Sequence, residues 1–384
     1  MSWINLNKFY KNILALMLGL LISVIIAEII LRIYNPIPAT VKGDSIVLRA
    51  NYKTIWLNNT DSRFPPEIVV SGNSLGMRGP ELPTTKAFKI ITVGGSTTHS
   101  LYIPDGKTWI DILDLKLKNK YNNIWLNNAG LSGHSTFGHI IFMEDYIVSL
   151  KPDIVIFLLG ANDLERKDPL DFRREQEFGF YDTSSYVNFI KTLLYRRSEL
   201  VGLLINLKRA YSAHRANITH GLGYDLTQET HVVISDEFRL EKIRRQKPYL
   251  QGYKDRLLEL IEISRNNNIT PIFITQPVLV GNQIDPTTGV DLSSIKGFMT
   301  VYPTDGRLAW ELLELYNDIT REVGVENNVH VIDLAKEMPK DSKYYRDLLH
   351  FTIEGSEKIA EIVSIPLLEI LKKETLKPNK INLN

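Results

Sequence analysis

Ile154 to Leu159 reads Ile-Val-Ile-Phe-Leu-Leu, six apolar residues with no polar position to mark a face turned to water. A half-exposed strand alternates apolar and polar residues. A short unbroken run instead predicts a strand covered on both faces, as in parallel sheets flanked by helices. Shorter, mainly apolar segments occur at Lys89–Val93, Ile124–Leu126, Ile272–Ile274 and Val329–Ile332. Between them, apolar spacing predicts helices over Trp109–Leu117, from Ile140 to Ser149, over Arg256–Asn266 and over Leu308–Val323. Strands that alternate with helices predict an α/β chain with a doubly wound parallel sheet. Such sheets bind ligands beyond the carboxyl ends of their strands, so the segments just after the strands are where chemistry is expected.

Three of those segments carry unusual residues, and a fourth lies near the C-terminus. They are Gly94-Gly95-Ser96-Thr97-Thr98, Asn128-Ala129-Gly130-Leu131-Ser132-Gly133, Gly160-Ala161-Asn162-Asp163 and Asp347-Leu348-Leu349-His350. A serine hydroxyl needs a neighbouring base to act as a nucleophile at neutral pH. Taken alone, the segment around Ser96 would serve equally well as a helix cap or an anion-binding turn. Asp347 and His350 supply the missing base: at i, i+3 one turn presents both side chains together, and the carboxylate can fix the imidazole tautomer. Gly133 offers an amide with no side chain in the way, and Asn162 offers a side-chain amide. With the Ser96 amide they would make three donors for a developing oxyanion. Asp333, at the end of the last strand, is a rival acid that reads better as a structural carboxylate. The histidines His99, His134 and His139 lack metal-ligand spacing, and the absence of cysteine removes thiolate sites, thiol catalysis and disulfides together. No metal and no cofactor are expected.

Together these four segments resemble the signature blocks of the SGNH (GDSL-like) hydrolases, over roughly residues 88 to 370. The resemblance implies a three-layer α/β/α flavodoxin-like fold with a mostly parallel sheet and a serine esterase activity. It implies Ser96 as nucleophile, Asp347 and His350 as the rest of a triad, and Ser96, Gly133 and Asn162 as the oxyanion hole. One departure stands out: the family's nominal Gly-Asp-Ser is Gly94-Gly95-Ser96 here. The triad is intact, but the turn and its polarity differ beside the nucleophile. Asn73-Ser74-Leu75-Gly76-Met77-Arg78-Gly79-Pro80 also resembles a turn found ahead of the nucleophile strand in membrane-anchored members, and reads equally as a plain glycine-rich turn.

The N-terminus predicts such an anchor. Ile13 to Ala27 is apolar apart from Gly and Ser, and Ile29-Ile30-Leu31 extends the run past Glu28. That length approaches the roughly 20 residues that cross a bilayer as a helix. Ser23–Ala27 is a poor cleavage site, so an uncleaved signal-anchor is expected over a cleaved signal peptide. Lys8 and Lys11 on the N-terminal flank favour a cytoplasmic N-terminus and an extracytoplasmic catalytic domain, against the smaller opposing effect of Arg32 and Lys42. The expected organisation is residues 1–12 cytoplasmic, 13–31 transmembrane, 32–87 a linker and lead-in, 88–371 the hydrolase domain, and 372–384 a tail.

Residues 165–247 interrupt the alternation and leave the third strand at the rim of the expected site, as an ordered lid or substrate wall would. Within them, Ser185 to Arg209 reads as helical. Val187, Ile190, Leu194 and Val201 share an apolar face flanked by Arg196, Arg197, Lys208 and Arg209, so this helix would serve as a lid or lie on the bilayer interface. A net charge of +1 gives no pull toward nucleic acid. The expected function is hydrolysis of a small acyl ester at the outer side of the cytoplasmic membrane. Within the family resembled, anchored members often act on O-acetyl groups of envelope carbohydrates, which makes an acylated carbohydrate the expected partner. Two alternatives remain open at this stage: a carbohydrate O-acyltransferase using the same triad, and a non-catalytic polysaccharide-binding or assembly module.

Overall fold

A computed structural model describes residues 3–35, 41–42, 45–46, 48–166, 197–215, 221–298, 300 and 302–375. The chain divides into two compact units, Met1–Val47 with Pro169–Thr219 and Leu48–Asp168 with His220–Asn384.

The first unit contains a 31-residue helix, Trp3–Ile33. Its stretch Lys8–Ile33 is long and apolar enough to cross a membrane. Leu14, Leu16, Met17, Leu18, Leu20 and Leu21 are all exposed on it, the signature of a helix that is apolar all round rather than on one face. The two-residue strands β1 (Val41–Lys42) and β2 (Ser45–Ile46) pair antiparallel. A second helix spans Glu199–Arg215. Ser198 caps it, its hydroxyl accepting from Val201 N at 3.2 Å, and most of the expected helix before Arg197 falls on residues outside the described ones. Val187, Ile190, Leu194 and Arg196 lie outside the described residues, and Val201 is half-buried.

The second unit opens with an antiparallel pair, β3 (Lys53–Leu57) and β4 (Glu67–Ser71). Ile68 and Val70 of β4 join Phe64 and Ile103 in a small buried cluster, against which Tyr52, Trp56 and Tyr102 pack. The main sheet follows: β5 (Phe88–Gly94), β6 (Ile124–Asn128), β7 (Ile154–Leu159), β8 (Thr270–Thr275) and β9 (His330–Ile332), in spatial order β6-β5-β7-β8-β9. Every pairing is parallel. All six residues of β7 are buried, and each large apolar side chain so covered contributes about 1.5–3 kcal/mol.

The first crossover, β5 to β6, moves along the sheet in one direction and the later ones move in the other. Right-handed crossovers therefore put their helices on opposite faces. Trp109–Lys118 packs on Ile353–Thr375, while Thr136–Phe142, Lys247–Asn266 and Gly306–Glu326 pack together. The helix expected to run from Ile140 to Ser149 is instead an α-helix to Phe142, a π turn over Met143–Ile147 and a 3-10 turn over Val148–Leu150. The strand order reverses between β5 and β7, where α/β sheets of this kind open a crevice. Ser96 follows β5 and Asn162 follows β7, so both flank that crevice.

Candidate active site

Ser96 is the first residue of a one-turn helix, Ser96–His99, that starts where β5 ends. Its hydroxyl lies 2.8 Å from His350 Nε2. The other ring nitrogen, Nδ1, sits 2.8 Å from Asp347 Oδ2 and 3.0 Å from Oδ1. With Nδ1–H donating to the Asp347 carboxylate, Nε2 is left as the acceptor facing Ser96. The structure thus joins three residues from two distant segments in one chain of hydrogen bonds.

Local geometry holds the carboxylate in place. Asp347 Oδ1 accepts from the amides of Leu349 (2.9 Å) and His350 (2.7 Å), and Arg346 Nη2 stands 3.5 Å from Oδ2. Burial by itself would raise the Asp347 pKa, but His350, Arg346 and the backbone amide hold the carboxyl well below the usual carboxylate range. It is ionised at neutral pH, as orienting and stabilising an imidazolium requires. Arg346 is itself buried, donates to Gly221 O at 3.0 Å and lies over the Tyr102 ring. Arg63 adds bonds to the carbonyls of Ser342 and Tyr345, so the turn carrying Asp347 and His350 is fastened from behind.

Asn162 donates from Nδ2 to His134 O at 3.0 Å. That bond fixes which end of the amide carries nitrogen and leaves it a second N–H. The amide lies against Gly95: a Cβ at that position would meet Asn162 Nδ2 at 2.2 Å. Gly95 therefore leaves the space that Asn162 Nδ2 occupies. Gly133 immediately precedes the carbonyl that holds Asn162. A Cβ there would meet no protein atom within 4 Å. Its φ of +80° is a left-handed conformation costly for any other residue type.

Asp333 lies elsewhere, bound by Arg321 through two bonds of 2.8 Å and by Thr275 Oγ1 at 2.9 Å, and so serves as a structural carboxylate. His99 bonds Ser132 Oγ at 2.9 Å. Burial, with Arg78 and His134 nearby, pushes its pKa down to about 3, and burial beside Arg166 pushes that of His134 down to about 4. Both rings are neutral at physiological pH.

Two supports went unread in the sequence. Asp163 is buried and accepts from Thr136 Oγ1 (2.6 Å) and Thr136 N (3.1 Å), with Arg256 Nη2 at 3.4 Å. Arg256 Nε also reaches Thr136 Oγ1 at 2.5 Å. This group ties the loop of Gly133 to the loop of Asn162. Arg78, also buried, donates to the carbonyls of His99 (2.8 Å), Ser100 (2.6 Å) and Ile103 (2.8 Å) and to Asp105 (2.9 Å). The turn around it thus grips the end of the Ser96–His99 helix. Asp163 stood inside a signature segment and Arg78 inside a recognised turn; Arg256 carried no local signal at all.

Residues 92–358 match the GDSL-like lipase/acylhydrolase family. None of the curated proteins matches the chain. Among solved structures it is similar to an acetyl xylan esterase, at 18% identity and a TM-score of 0.38 over 72% of this chain and 97% of the other. The psychrotrophic esterase EstA from Pseudoalteromonas sp. gives 13% and 0.40 over 74% and 99%. A member of the lipolytic protein G-D-S-L family from Veillonella parvula gives 16% and 0.39 over 75% and 100%.

Proposed function

The chain belongs to the GDSL-like lipase/acylhydrolase family and is a carboxylic-ester hydrolase, and from that premise we propose that Ser96 is its nucleophile, His350 its general base and acid, and Asp347 the carboxylate that orients the imidazole. The observation that carries this reading is the unbroken hydrogen-bonded path from Ser96 Oγ through His350 to Asp347. Ser96 Oγ attacks the ester carbonyl carbon while its proton passes to His350 Nε2. The carbonyl oxygen becomes an oxyanion, held by the amides of Ser96 and Gly133 and the free N–H of Asn162. Collapse of this intermediate breaks the bond to the alcohol, which leaves with the proton from His350. Water then attacks the acyl-enzyme by the same steps and restores Ser96.

The substrate is a small O-acyl ester, with O-acetyl groups of an envelope carbohydrate as the proposed class. This rests on the pairing of a family esterase domain with an N-terminal helix apolar and long enough to cross a membrane. The protein is proposed to sit in the cytoplasmic membrane with the catalytic unit outside.

A panel of acetyl, butyryl and long-chain nitrophenyl esters, with an acetylated polysaccharide, tests the proposal. The wild type is expected to release acetate, and Ser96→Ala and His350→Ala to abolish release. Activity within about tenfold of wild type in either folded variant overturns the mechanism. Acetyl recovered on a second sugar instead of as acetate identifies an acyltransferase.

A further inference from the structure

Glu28 breaks an otherwise apolar helix, and its surroundings give it a task. Its carboxylate accepts from Ser198 Oγ (2.8 Å), Glu199 N (3.0 Å), Leu200 N (3.1 Å) and Arg32 Nε (2.9 Å). Two of those donors are the first backbone amides of the Glu199–Arg215 helix, groups that no intrahelical partner can satisfy. Arg32 Nη2 donates to Arg197 O at 2.5 Å, and Asn35 Nδ2 donates to Glu199 Oε2 at 3.0 Å. Positions 28 and 32 follow i, i+4 on one face of the N-terminal helix, and Asn35 lies just past its end, so this end of the helix holds the start of the second helix.

That second helix exposes an apolar stripe. Leu204, Leu207 and Tyr211 are 58%, 46% and 63% exposed at i, i+3, i+7, with exposed Lys208 beside them. Glu28 stands five residues before the end of Trp3–Ile33, or about 7.5 Å along the axis. If Lys8–Ile33 crosses a bilayer, that depth is the boundary of headgroups and acyl chains, where amphipathic helices bury their apolar faces by about 5–10 Å. A carboxylate there is costly unless hydrogen-bonded, and this one has four donors.

We propose that the Glu199–Arg215 helix lies in the interface of the bilayer that the N-terminal helix crosses, its Leu204–Leu207–Tyr211 stripe in lipid, with Glu28 as the cap that sets it at that depth. Lys208 extends its charge to the headgroups. The inference rests on the membrane-anchor reading above.

The chain has no cysteine, so single cysteines can be labelled cleanly in the full-length protein. Leu204→Cys, Leu207→Cys and Tyr211→Cys would each carry a nitrobenzoxadiazole label in vesicles of plain or acyl-brominated phospholipid. The expected result is loss of fluorescence in the brominated vesicles at all three positions. That loss should disappear when Glu28→Ala is added, while small-ester turnover reports an intact catalytic unit. An alkaline carbonate wash separates the two readings. Protein that stays in the membrane but shows no bromolipid quenching overturns this inference and leaves the anchor standing. Quenching that persists in Glu28→Ala overturns the capping role. Protein released by the wash overturns the anchor and this inference with it.

Discussion

At the scale of single residues, Gly95 and Asn162 form a unit. The side-chain nitrogen of Asn162 occupies the space that a Cβ at position 95 would need, and His134 O aims it. Asn162→Ala should lower kcat by about 10²–10³ with KM little changed, the loss typical of one oxyanion donor. Gly95→Ala should also lower kcat, by displacing the same amide. Added to Asn162→Ala it should then cost nothing more, because the group it displaces is already gone. Steady-state kinetics of the two single variants and the double variant check this. Losses that multiply would show that Gly95 acts by another route, and a rise in KM at constant kcat would make Asn162 a substrate contact.

Among the elements, the turn Asn73–Pro80 governs the nucleophile helix through Arg78. Asn73 Oδ1 accepts from the amides of Leu75 (2.9 Å) and Met77 (3.1 Å), which shapes the turn. Backbone bonds of 2.9 Å each way between Arg78 and Asn128 fasten it to the end of β6. From there the Arg78 guanidinium collects the carbonyls at the end of Ser96–His99, where Ser100 takes a left-handed φ of +54°. Arg78→Met should destabilise the catalytic unit by about 3–5 kcal/mol, the usual consequence of removing one member of a buried charged network. Arg78→Lys should recover only part of this, since an ammonium cannot fork between separate acceptors. Thermal inactivation followed by ester turnover measures both, and a midpoint unchanged in Arg78→Met would reduce the turn to a connector.

For the molecule as a whole, the proposed orientation in the membrane rests on the charges beside the N-terminal helix. Lys8 and Lys11 lie toward one end, and Arg32, paired with Glu28 at 2.9 Å, and Lys42 lie toward the other. The proposed cytoplasmic N-terminus gives the lysines that precede the apolar run the greater weight. Alkaline phosphatase fused after Asn384 should therefore be active in a bacterial host. An inactive fusion with the chain in the membrane would reverse the topology.

The sequence alone determined the parts that short-range pattern encodes. Burial on both faces demands unbroken apolar runs, so β7 and the parallel sheet were legible, as were the apolar N-terminal helix and the four segments bearing Ser96, Gly133, Asn162, Asp347 and His350. The tertiary structure alone decided what meets what. It set the strand order β6-β5-β7-β8-β9, brought Ser96 to His350 across 254 residues of chain, and matched Arg256 to Asp163 and Glu28 to the start of Glu199–Arg215. It also gave Gly133 a left-handed φ of +80°. Periodicities of two and 3.6 residues record which face of an element is covered. They do not record the partner of a buried polar group, because that partner is chosen by the need to satisfy every hydrogen bond once distant segments are packed together.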